Sequence, residues 1–110
     1  MPLLFVYGSL RRGQENHALL ADQRFVADAV TQRRYCLARC GDYLALVPVQ
    51  DEQLAIAVPG EVWDVTPARL ATLDAFEEVP DVYVRQPVLL EGNWPAEVHA
   101  YFQATDQSMT

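Results

Sequence analysis

Five residues near the start of the chain, "LLFVY" from Leu3 to Tyr7, are β-prone and contain no polar position. A strand with one wet face alternates between apolar and polar residues, so a strand without alternation is buried on both faces. The sheet must therefore be assembled around this segment, with apolar cover on either side. The run stops abruptly at Gly8-Ser9. A strand that ends on glycine signals a close approach to its backbone, by a ligand or by another part of the chain.

The rest of the chain supplies the partners for that strand. Residues 13–20, "GQENHALL", read as a loop entering a short helix, and Phe25 to Leu37 as one long or bulged strand. "GDYLALVPV" gives a turn and a strand, and "LAIAVPGEVWDVT" a strand interrupted at Pro59-Gly60. Thr66-Pro67 is a helix start, because threonine can cap the free amides and proline fits the first turn. That helix should run to about Glu78, where Pro80 disfavours continuation. "VYVRQPVLLE" and "AEVHAYFQA" then close the fold as two strands joined through Gly92-Asn93. Mixed order of this kind predicts an α+β fold, a small mixed β-barrel of about six strands flanked by short helices.

A chain of 110 residues with 51% hydrophobic and 21% charged positions has the composition of an ordered domain, and residues 1–110 are expected to form a single one around one modest core. Its net charge of −7 argues against nucleic acid or an anionic membrane as a partner. No apolar run approaches the ~18 residues needed to span a bilayer. The N-terminus lacks the basic region and apolar core of a secretory signal. With Cys36 and Cys40 as the only cysteines, a cytoplasmic location with free thiols is expected.

The helix "PARLATLDAFEEV" contains an ionisable group on its apolar side. At ~100° per residue, Leu70, Leu73 and Phe76 form an apolar stripe, and Glu77 falls within it. Glu78 falls instead beside Asp74 on the polar side. An inward carboxylate must be paired, hydrogen-bonded or protonated. Glu77 is thus either half of a structural ion pair, with Arg85 as a candidate partner, a side chain escaping at a frayed helix end, or a general base whose pKa burial has raised.

"FVYGSLRRGQENHALL" followed by "LDAFEEVPDVYVRQPV", with "GEVWDV" between them, resembles the gamma-glutamylcyclotransferase-like family, in particular its gamma-glutamylamine branch and small bacterial members. The resemblance implies a small mixed barrel flanked by short helices. It also implies cyclisation of a gamma-glutamyl group to 5-oxoproline with release of the attached amine. By motif, Glu77 would be the catalytic acid/base, while Tyr7, Gly8, Ser9 and Leu10 would line the pocket for the glutamyl moiety. Tyr101 on the last strand would be a further wall. Neither a covalent intermediate nor a metal or other cofactor is required by this chemistry, and a small gamma-glutamyl compound is the expected partner. Longer members carry C-terminal segments that shape the pocket; with Thr110 as the last residue, the leaving-group side is expected to be open.

Other chemistries fit less well. "GSLRRG" has the spacing of a phosphate loop, but Gln14-Glu15 stand where Lys-Ser/Thr is needed. Ser9 as nucleophile would require His17 or His99 as an adjacent base. Cys36 and Cys40 lack further ligands at zinc spacing. Arg11 and Arg12 are expected on a solvated turn, paired with local acids. Two non-enzymatic readings remain: a small-ligand-binding barrel of the same fold, and an interaction domain whose Glu77 is only ion-paired.

Overall fold

The structure, a computed structural model, describes residues 2–104. Seven strands and one α-helix follow in the order β1 (Leu3–Val6), β2 (Arg24–Val30), β3 (Tyr35–Cys40), β4 (Tyr43–Pro48), β5 (Pro59–Asp64), α1 (Pro67–Phe76), β6 (Tyr83–Pro87) and β7 (Val98–Gln103). A 3-10 turn, His17–Leu19, lies between β1 and β2. All seven strands belong to one mixed sheet, ordered β2-β5-β1-β7-β4-β3, with β6 paired to β7. β1 is antiparallel to β5 and parallel to β7.

The unalternating first strand is explained by two cores. Leu3 and Phe5 enter one cluster, with Val62, Leu46, Tyr35 and Phe102. Leu4 and Val6 enter another, with Trp63, Val65, Leu70 and Leu73. The first cluster joins β5 to β3, which stand far apart in the strand order, so the sheet curls around it. The second lies under α1. Curling stops short of closure: among the strands of the described residues β2 pairs only with β5 and β3 only with β4. The expected barrel of about six strands is therefore an open, curled sheet of seven. Leu4 and Phe5 are fully buried, each contributing about 2 kcal/mol of transfer free energy.

Three boundaries differ from those expected. Phe25 to Leu37 is two strands, because β2 pairs with β5 and β3 with β4 on the opposite edge of the sheet. The chain leaves the sheet after Thr31, whose hydroxyl accepts from the Val58 amide at 2.9 Å. The anticipated bulge is present, between Phe25 and Ala27. Pro59-Gly60 begins β5 instead of interrupting it; the first residue of a strand tolerates proline. The helix starts as expected, with Thr66 accepting from the Arg69 amide at 3.1 Å, but ends at Phe76.

That ending is a Schellman motif. The Val79 amide donates to the Asp74 carbonyl at 3.0 Å and the Glu78 amide to the Ala75 carbonyl at 3.1 Å. The motif needs a left-handed residue, and Glu78 takes it at φ 54° where glycine is usual. Without a glycine to mark it, the stop was not legible two residues early. Phe76, the last residue of the helix, is 43% exposed, so it does not extend the buried stripe of Leu70 and Leu73.

Candidate active site

A cleft of about 660 Å³ opens beside the end of β1. Tyr7, Gly8, Ser9 and Leu10 form one wall, Glu77 another, and Tyr101 on β7 a third. All six residues singled out from the sequence thus line the same cavity. Cys40 and Tyr43 from the β3–β4 hairpin and Tyr83 from β6 complete it; these three carried no signal, because nothing local to them marks a cleft built from distant segments.

The loop after β1 is pinned from two sides. The Ser9 hydroxyl accepts from the Asn16 amide side chain at 2.8 Å, and the Asn16 backbone N–H donates to the Ser9 carbonyl at 2.8 Å. Arg12 reaches across to β5, where the Glu61 carboxylate accepts its backbone N–H at 3.1 Å and its Nε–H at 3.0 Å. The Trp63 indole donates to the same carboxylate at 3.1 Å. Burial opposes the charge on Glu61, but these donors outweigh it and hold the carboxyl below its ordinary pKa. Arg12 also stacks on Phe25 and pairs with Asp28. Arg12 does sit on an exposed turn, but its acidic partners Glu61 and Asp28 are distant in sequence instead of local, and it is the anchor of the loop. With the loop fixed this way, the main-chain N–H groups of Gly8, Ser9 and Leu10 have no protein acceptor among the described residues.

Gly8 itself answers the question raised by the strand end. Its φ is not positive, and a Cβ placed on it would meet nothing within 4 Å. Neither backbone conformation nor packing requires glycine there, so the missing side chain leaves room in the cleft. Gly8→Ala is accordingly expected to leave the melting temperature unchanged while raising KM for a ligand seated against that backbone by about tenfold. Melting curves and steady-state kinetics on the same preparation check it.

Tyr7 is part of the frame as well as of the wall. Its hydroxyl accepts from the Leu46 amide at 2.8 Å and donates to the Tyr101 carbonyl at 2.5 Å. It bridges β4 and β7, which are paired at Leu46 and Phe102. Burial pushes the phenols of Tyr7, Tyr83 and Tyr101 upward, so all three stay neutral.

Glu77 is different from every other acid around it. Its carboxyl has no hydrogen-bond or ion-pair partner among the described residues, and burial alone raises its pKa from 4.5 to about 7. The candidate partner Arg85 is engaged elsewhere: its Nε and NH2 donate to the two oxygens of Asp74 at 2.9 and 3.1 Å. Asp74 also accepts from the Tyr101 hydroxyl at 2.6 Å, so it is a half-buried hub and not part of a solvated polar face. Glu78 is exposed. An unpaired carboxyl poised near neutrality in a cleft has the properties of a general acid/base.

The alternative nucleophile has no base. Ser9 is bonded to Asn16, His17 Nδ1 bonds the Leu10 carbonyl at 3.0 Å, and His99 lies between Arg85 and Glu97. Cys36 and Cys40 are free thiols. Among the described residues no helix is long and apolar enough to cross a membrane. Residues 105–110, where the chain end bears on the openness of the leaving-group side, lie outside the described residues.

A curled mixed sheet with a lone, half-buried glutamate facing a glycine-ended strand defines a class, and comparison with known proteins gives the family. Residues 4–109 match the family described as gamma-glutamyl cyclotransferase, AIG2-like, and the chain belongs to it. It is similar to gamma-glutamylaminecyclotransferase B of Danio rerio, with 38% identity covering 96% of this chain and 59% of that protein. It is also similar to gamma-glutamylaminecyclotransferase of Bos taurus, with 37% identity over 93% of this chain and 66% of that protein. The chain thus spans about three-fifths to two-thirds of the length of these relatives. Among solved structures, an AIG2-like protein from Mus musculus superimposes with a TM-score of 0.81 at 28% identity, over 99% of this chain and 81% of that one.

Proposed function

We propose that this protein is a cyclotransferase that converts a gamma-glutamyl amine or gamma-glutamyl dipeptide into 5-oxoproline and a free amine, with Glu77 as the acid/base. The observation that carries the reading is the lone Glu77 carboxyl, with a pKa of about 7, facing the same cleft as the Gly8–Leu10 amides, which have no protein acceptor among the described residues. The names of the relatives support the substrate class.

In this reaction the substrate's α-amine attacks its own γ-carbonyl carbon. At neutral pH that amine is an ammonium, and Glu77 in its ionised form takes the proton. The new C–N bond closes a five-membered ring and puts negative charge on the carbonyl oxygen, which a main-chain N–H at the Gly8–Leu10 bend can accept. The tetrahedral species collapses as the original C–N bond breaks: the proton held by Glu77 passes to the departing nitrogen, and the second proton, left on the ring nitrogen, passes through the freed Glu77 carboxylate to the same amine, which leaves as an ammonium with Glu77 ionised again. A carboxyl near pH 7 is suited to both transfers, being strong enough neither as acid nor as base to trap the proton. The cleft's remaining contribution is to fold the substrate so that amine and carbonyl meet, worth several kcal/mol in comparable intramolecular reactions, or roughly 7 at the lower end.

The test is 5-oxoproline release from a panel of gamma-glutamyl amines and dipeptides by the purified protein. Turnover of at least one of them is expected. A ligand-dependent rise in melting temperature with no product from any panel member would instead mark a non-catalytic binding domain.

A further inference from the structure

Asp74 and Glu77 stand three residues apart on α1, so their side chains leave neighbouring positions of the helix surface. Their surroundings are opposite. The Asp74 carboxylate is saturated by the Arg85 fork and the Tyr101 hydroxyl. The third guanidinium nitrogen, NH1, is committed to His99 Nδ1 at 3.0 Å; because arginine only donates, His99 accepts there and donates from Nε2 to Glu97 at 2.7 Å. Glu77 has no hydrogen-bond or ion-pair partner among the described residues. Arg85 follows Tyr83 by two residues on β6 and so shares its face of the strand, and Tyr83 lines the cleft with Glu77. The Arg85 guanidinium therefore sits on the carboxylate three residues before Glu77 on α1, and does not pair with Glu77.

We propose that Asp74 is a positioning residue that holds Arg85 away from Glu77, so that the cleft keeps an unpaired carboxylate. A guanidinium free to move beside an unpaired, half-buried carboxylate would close on it, because charge-assisted forked pairs are among the strongest polar contacts. Once paired, Glu77 would be held in its charged form and would neither take nor return a proton near neutral pH. Asp74 prevents this by presenting both oxygens to the fork while Tyr101 fixes one of them from the far side. The Asp74–Arg85 pair is also close to neutral as a unit, so neither charge acts on Glu77 alone.

The other groups that face Glu77 do not compete for this role. Tyr7 just after β1, Tyr83 from β6 and Tyr101 from β7 are neutral phenols, Tyr43 from β4 donates its hydroxyl to Glu15 at 3.1 Å, and Cys40 from β3 offers a thiol. The charged groups of the rim are Arg11, Glu15, Asp42 and Glu78. Of these Arg11 spends its Nε–H on the Gly8 carbonyl at 3.2 Å, and all four are unchanged in the variants below.

The catalytic consequence rests on the cyclotransferase reading, but the titration of Glu77 does not. Carbon NMR titration of the Glu77 carboxyl is to be run on the full chain as Asp74→Asn, Arg85→Gln and the double variant, beside pH–rate profiles. Asp74→Asn should lower the Glu77 midpoint by about one pH unit or more and reduce kcat near neutral pH about tenfold or more. Arg85→Gln exposes Glu77 to an uncompensated like charge and should move the midpoint up. The double variant removes both charges and should return the midpoint and most of kcat towards wild type, a non-additive rescue. A clamp that merely fastens α1 to the sheet predicts an unmoved midpoint in all three and a double variant no better than the worse single; that result overturns the proposal. If Asp74→Asn does not fold, Arg85→Gln alone decides, an upward shift supporting the proposal and an unmoved midpoint ending it. Titrations that behave as expected in a protein releasing no 5-oxoproline would leave the pairing standing and remove the cyclotransferase reading.

Discussion

Glu77→Gln is expected to remove nearly all turnover and at the same time to make the protein harder to melt. Glutamine keeps the size of the side chain but cannot accept the ammonium proton, so kcat should fall by about 10²–10⁴-fold, the usual contribution of a general acid/base. KM should change little, because the lost interaction belongs to the transition state. The stability effect has the opposite sign and a defined pH window. In the unfolded chain the carboxyl titrates near 4.5, in the fold at about 7. Between those values the native state keeps a proton that the unfolded chain releases, so stability falls as pH rises through the window and stays at its lower level above it. The full difference is at most about 3–4 kcal/mol, and less in practice because solvent enters the cleft. Glutamine never ionises, so the variant should melt several degrees higher than wild type above neutrality, at about 4–8 °C per kcal/mol, and alike at the acid end of the window. Glu78→Gln, at an exposed position, should change neither rate nor melting. A Glu77→Gln protein that is fully active, or less stable than wild type in alkali, would show that Glu77 serves packing and not proton transfer.

Much of this arrangement was legible because burial leaves a pattern in local sequence. The unalternating Leu3–Tyr7 run implied a strand covered on both faces, and the two clusters that share its side chains are that cover. Helical periodicity set Glu77 among Leu70 and Leu73 on geometry alone. The same geometry, followed further, reaches Asp74, which is four residues after Leu70 and lies about 40° from it around the helix. Its neighbour Glu78 is another 40° round and does reach solvent. Grouping the two hid the residue that engages Arg85.

What was not legible depends on contacts between distant segments. Arg12 and Glu61 are separated by 49 positions, and their pairing fixes the loop that presents Gly8. Tyr7 to Leu46 spans 39. Neither pair leaves a local trace, because an arginine next to a turn and a glutamate in a strand are each ordinary on a surface. The split of Phe25 to Leu37 into β2 and β3 has the same origin: both halves favour extended backbone, and only their partners on opposite edges of the sheet force the chain to break.

Gly60→Ala is expected to be the most damaging single-methyl change in the fold, and the comparison with Gly8 says why. A Cβ at Gly60 would stand 2.3 Å from the Val6 carbonyl oxygen and 2.7 Å from Phe5 Cζ. An exposed side chain can rotate aside, but the carbonyl belongs to the backbone of the central strand and Phe5 is fully buried. The methyl can be admitted only by separating β5 from β1, whose register sets Val6 opposite Glu61. Overpacking a tight core commonly costs about 1–3 kcal/mol; a clash with main chain belongs at or above the top of that range. Against a total stability of about 5–15 kcal/mol, the melting temperature should drop by more than about 10 °C. Because Val6 leads directly into Tyr7 and Gly8, while Glu61 holds Arg12, any protein that does fold should also lose turnover. The two glycines therefore separate cleanly in one experiment: at Gly8 the added methyl should alter kinetics with stability intact, and at Gly60 stability should fail first. A Gly60→Ala protein melting within a degree or two of wild type would mean that β1 and β5 are not packed as closely as the register requires.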